Sequence, residues 1–237
     1  MPFLIEVVIP LIIAHRGASA EKPENTLPAF RRAVSRGADG IELDVQLTSD
    51  GVPVVFHDPN LRRLTGQPGR LTAKTWRELR PLRVLGSTAR IPRLVEVLAY
   101  TRGRIVVQIE LKRGTPVAPV LAAVAEARAR AWVVLASFES SLVREAADLA
   151  PSIPRMLISE GRGSVAGLGR QLVACGAQGI SVNRRAIRRP EFVHHFHARG
   201  FVVWAWTVND VPTARRLIGW GTDGLVGDNP ALLKGLI

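Results

Sequence analysis

The sequence predicts a (βα)8 TIM barrel, an α/β fold, with a β-hairpin and a short capping insertion after its second strand. Short apolar, β-branched segments alternate with segments of helical periodicity, which is typical of βα units around a parallel sheet. Eight such strand segments can be counted, the number that closes this barrel. Because 237 residues suit one domain of this kind, residues 1–237 are expected to form a single barrel domain.

The predicted elements follow the order that βα units require. An apolar run from residue 3 extends the first strand, residues 11–14, towards the N-terminus. The glycine-rich segment 161–169 is expected to be a loop at the barrel rim. The other predicted strands are 40–46, 105–111, 133–138, 155–159, 179–182, 202–207 and 224–228, and the main predicted helices are 26–36, 116–130, 140–149, 191–199 and 211–220.

One further apolar segment, residues 52–56, follows the second strand too closely to be its parallel neighbour, since parallel strands need a long crossover. Asp50-Gly51 is a strong hairpin signal. We therefore predict an antiparallel hairpin in which Asp44 lies opposite His57. Residues from about 58 to 92 then form an insertion with one short helical piece, and we expect it to cap the barrel end where active sites lie.

Composition limits the classes of function. The formal net charge is +12, which would steer anionic substrates or would simply reflect an arginine-rich surface. The basic residues are scattered, so no nucleic-acid-binding stripe is predicted. Cys175 is the only cysteine, which excludes an intramolecular disulfide. The N-terminal apolar run is too short to span a membrane, so we expect no stable membrane insertion and a cytoplasmic location.

Three acidic residues lie on strands that are otherwise apolar. Glu42 and Asp44 are two residues apart, so their side chains share one face of the second strand. Glu110 lies near the end of the third predicted strand. Buried carboxylates are costly unless they are paired or bound to metal. They suit Mg²⁺, Ca²⁺ or Mn²⁺, and the alternative is a structural ion-pair network with Arg16 and Lys112.

Two histidines are predicted to lie at the same end of the barrel. His15 directly follows the first strand, and the hairpin brings His57 back to the acidic residues. Two histidines beside a phosphodiester can remove a proton from the nucleophile and donate one to the leaving oxygen. Arg16 and Lys112 offer positive charge to a phosphate. Trp206 is expected near the pocket mouth, with packing in the core as its alternative.

Neighbouring residues have structural interpretations as well. Asn25 is a plausible N-cap for the first helix. Glu24 could orient His15 or Arg16. Asp58 could orient the adjacent histidine or simply cap the start of the insertion.

Taken in order, these motifs resemble those of the glycerophosphodiester phosphodiesterase family. The resemblance covers residues 12–230, and the order and spacing of the motifs make it specific. Its motifs are Ala14-His15-Arg16-Gly17, Pro23-Glu24-Asn25-Thr26, Glu42-Leu43-Asp44-Val45, Val54-Val55-Phe56-His57-Asp58, Ile91-Pro92-Arg93-Leu94, Ile109-Glu110-Leu111-Lys112, Ser137-Phe138, Trp206-Thr207-Val208-Asn209 and Asp223-Gly224 through Asp228.

The resemblance implies an enzyme that hydrolyses deacylated phospholipids to an alcohol and glycerol 3-phosphate. It implies the glycerol 2-hydroxyl as first nucleophile and a cyclic phosphate intermediate. The implied cofactor is a divalent cation, Mg²⁺ or Ca²⁺ or else Mn²⁺. The implied residues are Glu42, Asp44 and Glu110 on the cation, His15 and His57 as the acid–base pair, and Arg16 and Lys112 on the phosphate.

Two other functions are compatible with these residues. The first is a related diesterase that acts on lysophospholipids or another phosphodiester, although the insertion carries arginines where a lipid-active enzyme should expose an apolar rim. The second is a catalytically silent basic binding module, which would lack one of the acidic or histidine residues. None is missing. The expected partner is a small-molecule phosphodiester and no nucleic acid, and the sequence leaves a homodimer open.

Overall fold

The computed structural model describes residues 9–237, and its parallel strands close into a barrel at β1 (Leu11–Ala14). This strand pairs in parallel with β2 (Gly40–Leu47) on one side and with β9 (Gly224–Gly227) on the other. The sheet order, written by strand number, is 1-9-8-7-6-5-4-2, with β3 paired to the outer part of β2. The predicted TIM barrel is confirmed.

The bounds of the elements agree with the sequence prediction to within a few residues. The remaining strands are β3 (Pro53–Val55), β4 (Val106–Leu111), β5 (Val133–Ser137), β6 (Arg155–Ser159), β7 (Gly179–Asn183) and β8 (Val202–Trp206). The helices are α1 (Leu27–Ser35), α2 (Arg62–Thr65), α3 (Trp76–Leu79), α4 (Leu94–Thr101), α5 (Val117–Glu126), α6 (Ser140–Leu149), α7 (Val165–Cys175), α8 (Pro190–His197), α9 (Val211–Gly219) and α10 (Pro230–Lys234).

The alternation of side chains along each strand separates two buried layers. On β2, Ile41, Leu43 and Val45 belong to the apolar layer between the sheet and the helices. The residues between them, Glu42 and Asp44, face the barrel interior and are also buried. The apolar part of that interior is formed by Ile13, Ala136, Met156, Ile158, Trp204 and Val226.

The hairpin exists, but its register differs from the predicted one. Val45 faces Val55 in the antiparallel pairing, and the N–H of Phe56 donates to the carbonyl of Asp44 at 2.9 Å. The prediction that Asp44 lies opposite His57 is therefore wrong by one residue.

Loop length explains this shift. The N–H of Thr48 donates to the carbonyl of Val52 at 3.1 Å, which leaves three residues in the loop. Gly51 has φ +77°, as a three-residue hairpin loop with a left-handed glycine requires. The predicted two-residue turn at Asp50-Gly51 assumed a shorter loop.

Two other segments differ from the expectations. The loop predicted for 161–169 ends early, because the Ser164 side chain caps α7 by accepting from the N–H of Gly167 at 3.1 Å. Residues 3–8 of the predicted N-terminal strand extension lie outside the described residues. Among residues 9–237, no helix is both long and apolar enough to cross a membrane.

The insertion after the hairpin has its own small apolar core, which packs on β3. It contains α2, α3 and a 3₁₀ turn at Leu71–Ala73. The core residues are Val54, Phe56, Leu61, Leu64, Leu71, Leu79, Val84 and Ile91. The insertion is thereby held against β3, the strand that leads into His57.

Two glycines with positive φ allow a matched stability test of the loop after β1. A Cβ on Gly17 (φ +82°) would lie 2.7 Å from the backbone carbon of Ala29, whereas one on Gly37 (φ +73°) would meet nothing within 4 Å. We expect Gly17→Ala to lower the free energy of unfolding by about 2–4 kcal/mol and Gly37→Ala by about 1 kcal/mol. Urea unfolding measures both, and equal losses would contradict the close packing of this loop on α1.

Candidate active site

Three carboxylates meet at the mouth of the barrel, and we call Glu42, Asp44 and Glu110 the acidic triad. Asp44 on β2 is the direct neighbour of Glu110 on β4 in the parallel register. One carboxylate oxygen from each residue lies within 4.8 Å of the others. All three residues are buried, with relative exposures of 5%, 1% and 8% in sequence order.

Two basic residues partly balance this charge. Lys112 Nζ lies 3.1 Å from Asp44 Oδ1 and 2.5 Å from Glu110 Oε1. Arg16 Nε lies 3.3 Å from Asp44 Oδ2, and the Arg16 backbone N–H donates to Glu42 Oε2 at 3.0 Å. The predicted ion-pair network is therefore present, but it sets two cations against three convergent carboxylates.

The charge imbalance appears in the pKa values. Burial and the charge of Asp44 raise the pKa of Glu42 to about 8. The same two causes raise the pKa of Glu110. Burial acts on Asp44 in the same direction, but Lys112 and Arg16 outweigh it and lower the pKa of Asp44. Glu42 is thus the member of the triad whose charge the protein compensates least.

Asn25 contributes to this arrangement instead of capping α1. Thr26 is the N-cap, so the predicted capping role of Asn25 is wrong. Asn25 is 2% exposed; its Nδ2 donates to Asp44 Oδ2 at 2.7 Å, and its Oδ1 accepts from the Asp44 backbone N–H at 3.3 Å. This side chain therefore fixes the orientation of the Asp44 carboxylate.

His15 is held by an aspartate that the sequence interpretation had given no role. His15 Nδ1 lies 2.7 Å from Asp228 Oδ1, and Ser19 Oγ and Asn209 Nδ2 also donate to the Asp228 carboxylate. Burial opposes the charged form of His15 most strongly, but the hydrogen bond with Asp228 and the negative charges of Glu42 and Asp228 together outweigh burial and raise the pKa of His15. In the sequence, the feature that points to such a role is the position of Asp228 directly after the last strand, β9.

His57 has a similar partner but a different electrostatic environment. Its Nδ1 lies 2.7 Å from Asp58 Oδ1, as one of the two interpretations of Asp58 predicted. Burial is the main cause that lowers the pKa of His57, and the charge of Lys112 acts in the same direction. The pKa values of the two histidines are therefore shifted in opposite directions.

Arg63, from α2 of the insertion, joins the surroundings of the two catalytic candidates. It donates two hydrogen bonds to Asp58, at 2.6 and 2.7 Å, and two to Glu24, at 2.8 and 2.9 Å. Glu24 also accepts from Arg16 Nη1 at 2.8 Å. Of its two predicted partners, Glu24 therefore contacts Arg16 and not His15.

These groups surround a cavity of about 240 Å³ whose two sides differ. One side carries the two histidines, Arg16, Lys112, Glu42, Glu110 and Gln108. The other side carries Phe138, Ile158, Glu160, Ser181, Trp206, Thr207 and Val226. Gln108 and Glu160 line the cavity although no sequence motif singled them out. Trp206, for which the pocket mouth was expected, is among the lining residues, and Trp204 lies in the apolar interior of the barrel.

The donor set of the acidic triad suits a hard divalent cation. Its ligand atoms are all carboxylate oxygens, which Mg²⁺, Ca²⁺ and Mn²⁺ prefer. The buried side-chain oxygen of Gln108, which is the register neighbour of Glu42, has no hydrogen-bond partner among the described residues. A cation held by the triad would supply the positive charge that Arg16 and Lys112 leave unbalanced. A water ligand of that cation would be a hydrogen-bond donor for the Gln108 oxygen.

Comparisons with known proteins agree with this geometry. Residues 15–232 match the model of the glycerophosphoryl diester phosphodiesterase family. A glycerophosphodiester phosphodiesterase of Caldanaerobacter subterraneus is 33% identical, over 96% of this chain and 97% of its own.

Solved structures show the same relationship. A putative glycerophosphoryl diester phosphodiesterase of Silicibacter pomeroyi is 28% identical with a TM-score of 0.88, over 97% of this chain and 93% of its own. An Oleispira antarctica phosphodiesterase in complex with the product sn-glycerol-3-phosphate is 27% identical with a TM-score of 0.86, over 96% of both chains. The protein described here therefore belongs to the glycerophosphoryl diester phosphodiesterase family and is a phosphodiester hydrolase of that class.

Proposed function

We propose that this protein cleaves glycerophosphodiesters to an alcohol and glycerol 3-phosphate, with a divalent cation on the acidic triad and His15 and His57 as the acid–base pair. The observation that carries the proposal is that both histidines line one cavity together with Arg16, Lys112 and carboxylates of the triad. The product found in the Oleispira structure supports the same product here.

The acidic triad would hold the cation, and Mg²⁺, Ca²⁺ and Mn²⁺ are the candidates. When bound, such a cation stabilises negative charge on the phosphate oxygens. Arg16 and Lys112 already lie beside the triad, so they can contact the same phosphate: the guanidinium as a paired donor and the ammonium as a point charge. Trp206 bounds the opposite side of the substrate cavity.

His57 fits the role of general base. Because its pKa is lowered, the ring is neutral near pH 7 and can accept the proton of the attacking hydroxyl. Its Nδ1 is engaged with Asp58, which leaves Nε2 as the proton acceptor. Arg63 holds Asp58 and so fixes the orientation of the ring from behind.

His15 fits the role of general acid. Because its pKa is raised, the ring carries a proton at a higher pH than an ordinary histidine does. Its Nδ1 is engaged with Asp228, so Nε2 can donate a proton to the leaving alcohol oxygen as the P–O bond breaks. Two titrating groups whose environments separate their pKa values are typical of acid–base pairs.

No specific observation favours a lysophospholipid substrate. On the insertion, Arg62, Arg70 and Arg77 are exposed, where a lipid-active enzyme would present apolar side chains. The cytoplasmic location, the single-domain boundaries and a homodimer remain predictions of the sequence.

The function is tested by product analysis over a panel of glycerophosphodiesters, with and without chelator. We expect glycerol 3-phosphate and the free alcohol as products. Chelator should abolish turnover, because without the cation the charge of the acidic triad stays unbalanced and the negative charge of the phosphate beside it loses the stabilisation that the cation provides. Added Mg²⁺, Ca²⁺ or Mn²⁺ should restore turnover. Full turnover by a demonstrably metal-free sample would contradict the role of the triad, and a panel with no cleaved diester would contradict the function.

The assignment of the two histidines predicts different responses to the leaving group. We expect His15→Ala and His57→Ala each to lower kcat by about 10² to 10⁴ on glycerophosphodiesters with alkyl leaving groups. A nitrophenyl diester of glycerol phosphate, whose leaving group needs no proton, should rescue His15→Ala but not His57→Ala.

Exposed His194 on α8 provides the matched control, and His194→Ala should behave as the unmodified enzyme does. Rescue of His57→Ala instead would reverse the assignment. A loss of only a few-fold in both catalytic variants would rule out paired acid–base catalysis.

A further inference from the structure

The side of the cavity away from the acidic triad has a chemistry that phosphate binding does not explain. It is formed by residues on or directly after β5 to β9, whereas the triad lies on β2 and β4. Its lining combines the aromatic and apolar residues Phe138, Ile158, Trp206 and Val226 with the hydroxyl residues Ser181 and Thr207 and one charged residue, Glu160, which follows β6. Because both halves line one cavity, a diester held at the triad would have room to extend one of its two arms into this space.

Two aromatic rings form a corner in this half of the cavity. The ring centroids of Phe138 and Trp206 are 5.7 Å apart, and the ring planes meet at 80°. The Trp206 indole is fixed because its Nε1 donates to the Ser181 carbonyl at 3.0 Å. Phe138 is 43% exposed, so a large part of an aromatic surface is available to a ligand.

Glu160 adds a negative charge that the protein does not neutralise. Its Oε2 accepts from Asn183 Nδ2 at 2.8 Å, which orients the carboxylate. Among residues 9–237, Glu160 takes part in none of the ion pairs, although the chain has 32 basic and 20 acidic residues. By contrast, Arg63 neutralises both Glu24 and Asp58 near the catalytic histidines.

We propose that Phe138, Trp206 and Glu160 form a binding site for a cationic head group, so that this enzyme prefers glycerophosphodiesters whose alcohol carries an ammonium or quaternary ammonium group. Aromatic faces attract such cations, and a carboxylate adds a Coulombic attraction that neutral head groups lack. The proposal rests on the proposed diesterase function. It identifies Glu160 as a residue that determines specificity within that function.

The alternative role for Glu160 is to accept hydrogen bonds from the glycerol hydroxyls, which all substrates share. The test is therefore the ratio of kcat/KM for glycerophosphocholine to that for glycerophosphoglycerol, whose head group is neutral. We expect Glu160→Gln to lower this ratio by about tenfold. The control is Glu126→Gln, an exposed carboxylate at the C-terminal end of α5, which removes the same charge and should leave the ratio as it was.

Equal losses on both substrates, or an unchanged ratio in Glu160→Gln, would overturn the proposal. Phe138→Ala should also lower this kcat/KM ratio relative to the unmodified enzyme. Phe138→Tyr should keep most of the ratio, because the tyrosine ring retains an aromatic face.

A binding measurement separates failure of this proposal from failure of the diesterase function. Choline should inhibit hydrolysis, or should change the tryptophan fluorescence if no diester is cleaved, at lower concentration than its neutral isostere 3,3-dimethylbutan-1-ol. We expect Glu160→Gln to reduce this preference by about tenfold. Equal binding of the two alcohols by the unmodified protein would contradict a cationic site whether or not the protein cleaves diesters.

Discussion

The site depends on one electrostatic constraint: three buried carboxylates occupy one place at the barrel mouth. The alternation of β2 and β4 turns Glu42, Asp44 and Glu110 inward, and the parallel register sets Asp44 beside Glu110. Like charges at this distance in a buried setting oppose each other strongly. Lys112 and Arg16 lie within ion-pair distance, but together they carry one positive charge fewer than the triad carries negative. In the proposed function a cation balances the third carboxylate once it is ionised, and through that cation the mouth binds an anionic phosphate.

The carboxylates that contact the two histidines form a second set of interactions in the site. Each ring is held through Nδ1 by a carboxylate, so the two would be equivalent if that contact alone mattered. Burial is the strongest single effect on the pKa of both rings, but at His15 the contacts with Asp228 and the charge of Glu42 together outweigh it, whereas at His57 burial and the charge of Lys112 prevail. The insertion takes part through Arg63, which places positive charge on Asp58 and Glu24. The insertion therefore also positions Asp58, the carboxylate that contacts the proposed general base His57.

The sequence was sufficient for the barrel because periodicity and strand count depend on local pattern, and the acidic triad followed from the two-residue spacing on β2. What it missed depends on contacts between distant residues or on fine loop geometry. The hairpin register was wrong by one because Asp50-Gly51 fits both a two-residue and a three-residue loop. The local pattern favours a capping role for Asn25, because its actual partner, Asp44, lies 19 residues away in sequence. Asp228 reaches His15, and Glu160 reaches the cavity, only once the barrel closes.

The most direct test of the central claim is the number of protons released when the metal-free protein binds Mn²⁺. Calorimetric titrations at pH 7 in buffers of different ionisation enthalpy measure it. Because the pKa of Glu42 is raised to about 8 without the cation, its carboxyl is mostly protonated at this pH, and binding should release about one proton per ion. Glu42→Gln should bind more weakly and release no such proton. Tight binding without proton release, or unchanged binding by Glu42→Gln, would contradict the account.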